Sequence, residues 1–273
     1  MSIDISDSFI KQFESEVHTA YQRTGSKLRP TVRVKSGIVG SSTTFQKVGT
    51  GTASTKGRHG QIAAMNVTHT PVECTLADYY AGDWIDRLDE LKTNIDERMV
   101  VAQAGAYALG RKTDSLIITA MDTTSTAAAT TAGGLTKAKV LEGFLKLNEG
   151  DVPDDGGRFC VVGAKQWNDL LGITEFASSD YIGEAGGLPF TLGVTAKQWL
   201  GMTFFTHTGL TTSGSNRYVH MYHRSGVGHA VGQDIKSDIT WHGDRAAHFI
   251  NNSMSQGSVL IDTLGVCKIT CAE

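Results

Sequence analysis

The stretch from Asn94 to Asp122, whose core reads DERMVVAQAGAYALGRKTDSLIITAM, constrains the fold more than any other part of the chain. Met99, Ala102, Ala106, Leu109, Thr113, Leu116 and Ala120 recur at steps of three and four, the helical rather than the strand period. Asn94 stands where a cap belongs, Glu97 follows three residues later, and no proline interrupts the run. At 1.5 Å per residue the predicted helix is about 39 Å long, roughly twice an average globular helix. Its middle is crowded with Ala102, Ala104, Gly105, Ala106, Ala108 and Gly110, so a neighbouring sheet or helix can lie close along it. Gly105 and Gly110 each cost about 1 kcal/mol against alanine in a helix, a cost that close packing offsets. Its period alone makes this a core helix; its length makes it a spine.

With 273 residues the chain can hold one large domain or two smaller ones around a sizeable core. A net charge of -3 and a pI near 6.3 argue against a dedicated nucleic-acid binder, so any DNA contact should be weak and local. No run of eighteen apolar residues occurs, and the start, MSIDISDSFIKQFE, lacks a basic region followed by an apolar one. A soluble, cytosolic chain with no membrane partner is expected. Cys74, Cys160, Cys267 and Cys271 form no CxxC pair and are expected to be reduced and buried.

Residues 6–23 carry Phe9, Phe13, Val17, Ala20 and Tyr21 on one helical face, with Ser6 or Asp7 placed to cap. Such an aromatic stripe needs a surface to dock on, in this chain or a neighbouring one. From Gly25 to Thr75 the sequence turns rich in Gly, Ser and Thr, with β-branched residues alternating at both ends: Val32 and Val34 at the start, Met65 and Val67 near the close. This predicts a long two-stranded arm whose tip, Gly49 to Gly60, has almost nothing apolar with which to pack. A lone hairpin of that length is marginal in water and needs a partner surface.

Next, TLADYYAGDWIDRLDELK places Asp83, Asp86, Asp89 and Glu90 opposite Trp84, Ile85, Leu88 and Leu91 in helical spacing. A solvated helical face fits that spacing better than a carboxylate metal site. The low-complexity TTSTAAATTAGG, Thr123 to Gly134, marks the best internal boundary. Beyond it come an amphipathic helix with Leu135, Val140, Leu141, Phe144, Leu145 and Leu147 inward, a buried strand RFCVVGA, a helix AKQWNDLLG, a glycine-rich loop and a strand KQWLGMTFFTHTG. That alternation predicts an α/β module with a mixed sheet. Strands are then expected at Arg217–His223, Val227–Gly232, Ile239–His242, Ala247–Met254 and Gly257–Thr270, the last tied into the sheet against which the spine packs.

Catalytic and metal signatures are missing from this layout. Five of nine histidines fall between His220 and His248, but His220 and His223 point to opposite faces of a strand, and no HExxH or two-His-one-carboxylate spacing occurs. GVGHAVG is not GxGxxG, and neither a Walker loop nor a GxSxG elbow is present. No catalytic, cofactor or metal residues are therefore assigned.

Four blocks resemble the major capsid proteins of tailed double-stranded DNA bacteriophages, the family with the HK97-type fold. They are SKLRPTVR (Ser26 to Arg33), GRHGQ (Gly57 to Gln61), TLADYYAGDWID (Thr75 to Asp86) and AYALGRKTDSLIITAM (Ala106 to Met121). The match covers the first 120 residues; beyond them only the order of elements supports it. The resemblance implies an α+β capsid fold. Residues 1–30 would form an N-terminal arm and 31–75 an extended loop, with a peripheral domain at 76–134 carrying the spine helix 95–121. Residues 135–234 would form an axial domain, and the C-terminal strands 235–273 would return to the peripheral domain.

The function so implied is self-assembly into pentamers and hexamers of an icosahedral phage head enclosing double-stranded DNA, which is contacted without sequence specificity. The chain itself is the main partner; separate scaffolding, portal and cement proteins are further candidates. The expected place is the virion, after assembly in the host cytoplasm. Intersubunit contacts are expected from Phe9, Phe13 and Tyr21 of the arm. They are also expected from Arg29, Arg33, Lys56 and Arg58 of the loop, paired with Asp83, Asp86 and Glu90 of a neighbour. Lys47 and Lys56 are available for a crosslink, but no motif assigns its asparagine or glutamate, so non-covalent assembly is the expectation. An encapsulin-like protein compartment shell and a soluble α/β enzyme are the alternatives.

Overall fold

The computed structural model describes residues 25–90, 97–128, 133–177 and 196–273, with the side chains of residues 89 and 90 excluded. The expected N-terminal helix with Phe9, Phe13 and Tyr21, the Asn94 cap and most of the glycine-rich loop lie outside the described residues. The chain forms two compact units: one contains Tyr79–Arg111 and Asp234–Met254, the other Ser26–Asp78, Lys112–Gln233 and Ser255–Glu273. The described helices are α1 (Arg87–Glu90), α2 (Glu97–Asp122), α3 (Lys137–Glu149), α4 (Ala164–Leu171) and α5 (Thr174–Ala177). The predicted spine is α2, and the unit boundaries fall within it and within three strands.

The larger unit is built on a mixed sheet of strands β5 (Arg158–Val162), β6 (Ala196–Trp199), β7 (Met202–Thr206), β8 (Thr212–Ser213), β9 (Asn216–His223) and β12 (Val266–Ala272). Their order is β12-β9-β5-β7-β6, with β8 paired to β9; only β5 and β7 run parallel. Alternation along each strand sorts the side chains between two faces. Cys160, Val162, Phe204, Met221, Cys267 and Ile269 meet Val140 and Leu147 of α3 and Leu170 of α4. Val161, Phe205, Tyr222 and Val266 meet Ile117, Ile118 and Met121 from the last turns of α2. Each such side chain, fully buried, contributes about 1.5–3 kcal/mol. The sheet holding the C-terminal strand is thus one on which the spine packs, and it is also the sheet of the α/β module.

Thr136 caps α3 by accepting the Lys139 N–H, and Gly150 closes it. The helix comes closest at Gly143, where an added Cβ would stand 2.7 Å from Met221 Sδ and 2.9 Å from Ile269 Cδ1. Its buried stripe is therefore centred on Val140, Gly143 and Leu147, leaving Leu141 and Leu145 41% and 51% exposed, against the expectation that both turn inward. Lys139 is wholly buried, its ammonium donating to Gly133 O at 2.9 Å and Thr270 O at 3.0 Å.

Strand β1 (Arg33–Ser36) pairs in parallel with the start of β10 (Val227–His242), Arg33 opposite Gly228. The hairpin comprises β2 (Ser42–Val48) and β3 (His69–Thr75), Ser42 opposite Thr75 and Val48 opposite His69. It therefore opens at Ser42, because Val32 and Val34 belong to the β1 segment at its foot, and it closes before Met65 and Val67. Residues 50–68 carry no strand, and all but Val67 are exposed.

In the smaller unit lie most of β4 (Ala77–Asp86), the second half of β10 and the first part of β11 (Ala247–Leu260), in the order β10-β11-β4. Residues 77–86 are a strand, so the helical face expected from Asp83 onward is absent up to Asp86; only Arg87–Glu90 turn helically, and Leu88 is 65% exposed. Tyr79, Tyr80, Trp84 and Ile85 suit a pleated surface, where burial at Tyr79, Ala81 and Ile85 follows the strand period. The two predicted strands within 227–242 are one continuous strand. The predicted Gly257–Thr270 strand is broken at Asp262–Gly265, where Asp262 Oδ1 accepts the Leu264 N–H and Asp262 O the Gly265 N–H. Here α2 approaches through Gly105, whose added Cβ would fall 2.1 Å from Asn252 Nδ2. Asn252, buried, donates to Ala81 O at 3.3 Å and accepts from the Ser237 hydroxyl. Met99, at the other end of the predicted stripe, is 71% exposed.

Candidate functional site

The spine is anchored in the larger unit by two carboxylates, Asp114 wholly buried and Asp122 partly so. Asp114 Oδ1 accepts the Ser26 hydroxyl at 2.6 Å and the Leu28 N–H at 3.1 Å, while Oδ2 accepts the Lys27 N–H at 3.3 Å and His207 Nε2 lies 2.9 Å from it. The Gly209 N–H donates to His207 Nδ1, so the imidazole proton sits on Nε2 and points at the carboxylate. Burial raises the Asp114 pKa, the largest single influence, but the bonds from His207, Ser26 and Leu28 together hold it below 3.8. Two turns on, Asp122 Oδ1 lies 3.0 Å from His220 Nε2 and Oδ2 accepts the Thr211 hydroxyl, and its pKa is likewise lowered against burial. The segment leading into the fold is thereby tied to the spine and sheet, and the Thr31 and Tyr222 hydroxyls meet at 2.5 Å beside it.

The foot of the hairpin is a second fixed point. Phe45 and Cys74 pack with Ala230 and Ile261 against Ile38, Leu76 and Val259. The fit depends on small residues: a Cβ at Gly228 would lie 2.9 Å from the Phe45 ring, and one at Gly257 would lie 2.2 Å from Thr75 O. Lys47 pairs with Asp262 at 2.8 Å, and Lys35 Nζ donates to Thr43 Oγ1 at 2.7 Å.

Beside this foot is a concavity of about 480 Å³, lined by Arg33, Arg224, Ser225, His223 and Asp155 with the Gly156 to Gly157 turn. Asp155 Oδ1 lies 3.0 Å from His223 Nε2, and His223 Nδ1 lies 2.7 Å from Ser225 Oγ. The Ser225 N–H also points to Nδ1, at 3.3 Å, so His223 caps the turn Arg224–Gly226, with the hydroxyl sharing that local bond. The His223 bond, then the Gly157 N–H, keep the Asp155 pKa below 3.8. Elsewhere, burial pushes the Cys267 and Cys271 thiols up to about 11, away from reactive thiolates. Among the described residues no three His, Cys, Asp or Glu side chains gather as metal ligands.

The residues expected at subunit contacts are placed as follows. Arg29 opens the turn Arg29–Thr31 and is half-buried; Arg33 is exposed on β1, its guanidinium 5.7 Å from the centre of the Phe45 ring. Lys56 and Arg58 are exposed in the hairpin tip. Asp83 and Asp86 are exposed at β4, where each accepts a nearby backbone N–H, from Trp84 and Leu88 respectively. Glu90 ends α1, with its side chain outside the described residues, as are Phe9, Phe13 and Tyr21. Arg33, Lys56, Arg58, Asp83 and Asp86 have no ion-pair partner among the described residues.

Sequence reasoning missed Asp114, Asp122, His207, His220 and Arg224. The available signal was Gly110, Asp114, Ile117 and Met121, a helical stripe in which one carboxylate stands at a core position.

The fold is shared with solved structures at low sequence identity. Mycobacterium phage Che8 matches at 18% identity and a TM-score of 0.72, over 96% of this chain and 97% of that one. The capsid structure of the cyanophage P-SCSP1u matches at 16% and 0.72, over 98% and 94%. The capsid of Ralstonia phage GP4 matches at 11% and 0.73, over 100% and 98%. The fold is the HK97-type α+β capsid fold that the sequence blocks implied. Among curated proteins, none matches the chain. The model of the family described as phage capsid protein matches residues 5–273, nearly end to end, and the chain belongs to that family.

Proposed function

We propose that many copies of this structural protein assemble into pentamers and hexamers of an icosahedral head that encloses double-stranded DNA. The observation that carries this reading is the hairpin: a firmly packed foot bearing a tip with no core of its own and with Lys56 and Arg58 exposed. Residues 50–68 apart from Val67 are exposed, which suits a tip that packs on another molecule. In this reading the unit with Tyr79–Arg111 and Asp234–Met254 is peripheral, and the module of α3, α4 and the six-stranded sheet surrounds the capsomer axis. Arg29, Arg33, Lys56 and Arg58 meet Asp83, Asp86 and Glu90 of a neighbour, and repeated weak contacts of fixed geometry close the shell. Assembly is non-covalent and takes place in the host cytoplasm, with scaffolding, portal and cement proteins as separate chains.

Expression of the chain, followed by sedimentation and negative-stain imaging, tests the proposal. Shells or capsomer-sized rings are expected; a 29.2 kDa monomer that stays monomeric with crowding agent weakens it, leaving either a missing scaffolding chain or a wrong assignment. Arg58→Glu should cut the yield of shells, and an unchanged yield removes the tip contact from the scheme. Mature particles should give intact monomers on a denaturing gel, where a ladder would reveal crosslinks.

A further inference from the structure

The concavity beside the hairpin foot holds two guanidinium groups, neither of them ion-paired among the described residues. Arg224 lies 5.9 Å from the centre of the Phe159 ring and donates to Pro30 O at 3.0 Å; Arg33 lies over Phe45. Each guanidinium thus lies within cation–π distance of a ring while its residue stays exposed to solvent. The one carboxylate in the wall, Asp155, already accepts His223 Nε2–H and the Gly157 N–H at 2.9 Å through Oδ1. Two permanent cations therefore line a hollow in which the one carboxylate among the described residues already accepts two N–H groups through Oδ1, and the Ser225 hydroxyl lies in the same wall.

A guanidinium fork of this kind matches oxyanions that present two oxygens side by side, carboxylate or phosphate. The rim selects between them. Asp155 keeps 62% of its side chain exposed, and Asp151 and Asp154 in the turn leading to it are exposed as well. A nucleic-acid strand would bring a phosphate about every 3.4 Å past that acidic turn. A single carboxylate on a protein segment can enter between the arginines without facing it. We infer that this concavity seats acidic side chains of a second copy of the chain, with Arg33 and Arg224 as the paired receptors. The inference rests on the assembly reading above and adds Arg224, which the hairpin contacts do not include.

The test uses the full-length unassembled chain at low salt, titrated with fluorescent hexaglutamate peptide and, separately, with a single-stranded DNA oligonucleotide of equal charge. Hexaglutamate should bind, and the Arg33→Gln/Arg224→Gln variant should bind it at least tenfold more weakly at an unchanged unfolding midpoint. Shell yield of the variant should fall by a similar factor. Should the double variant unfold, Ser225→Glu decides, because it places a carboxylate in the hollow without touching either stack and should give the same loss. Equal binding by the variants, tighter binding of the oligonucleotide, or full shell yield from the variants overturns the inference. A wild-type chain that binds hexaglutamate yet never assembles refutes the assembly reading and the second copy as occupant, while leaving the carboxylate site standing.

Discussion

Asp114 Oδ2 and His207 Nε2 lie 2.9 Å apart with both side chains wholly buried, although 93 residues of chain separate them. The carboxylate also holds Ser26 and the backbone at Leu28, so one side chain joins the spine, the central sheet and the entering segment. Asp114→Ala would leave these donors buried and unmatched, at about 1–3 kcal/mol each. A loss of about 3 kcal/mol or more is expected in urea unfolding. His207→Ala should cost less, since Ser26 and Leu28 continue to serve the carboxylate.

The same groups set a response to acid. Asp114 and Asp122 have folded pKa values below their ordinary ones, so the folded state holds fewer protons than the unfolded chain. Their stabilising contribution is complete above the unfolded value, about 4, and is lost as pH falls through the folded value. Urea midpoints should therefore be flat from about pH 7 to 5 and drop below about pH 4, and Asp114→Asn should flatten that drop.

Much of this architecture can be read from residue order, and the exceptions have physical causes. The spine is legible because one period runs unbroken, and the close approach foreseen from Gly105 is real, with the Asn252 amide lying over it. Strand β4 was hidden because Trp84, Ile85 and Leu88 satisfy a helical spacing by chance, while the neighbouring strand that completes its pairing lies far along the chain. Asp114 was hidden for the same reason: its partners come from residues 86 to 93 positions away, where no local pattern can announce them. Of the expected contact residues, Arg33, Lys56, Arg58, Asp83 and Asp86 are exposed, Arg29 is half-buried, and the arm aromatics fall outside the described residues.

Gly257→Ala should be poorly tolerated. The new Cβ would stand 2.2 Å from Thr75 O, a backbone atom that moves only if β3 moves. A cost of about 2 kcal/mol is expected, in the range for overpacked sites, visible as a lower unfolding midpoint. Gly51→Ala makes a useful contrast, since the atoms it meets belong to the Met65 side chain, which can turn away, and the midpoint should hardly change.

Phe45→Ala should loosen the hairpin without unfolding the sheet beneath α3. The ring fills the small core at the foot, so its loss opens a cavity worth about 3–5 kcal/mol. Limited proteolysis should cut within residues 50–68 in both proteins. Only the variant should be cut further, in β2 and β3.

A hairpin anchored at the foot and coreless beyond Gly49 also bears on how errors are corrected during assembly. In the assembly proposed above, each tip would give up conformational freedom on settling on a neighbour, at about 1–2 kcal/mol per backbone residue fixed, which cancels much of what the contact supplies. A subunit added in the wrong orientation satisfies only part of that contact and leaves quickly. One that is correctly placed gains a second and third neighbour before its first contact lapses, so the weakness of the single tip acts as a proofreading step.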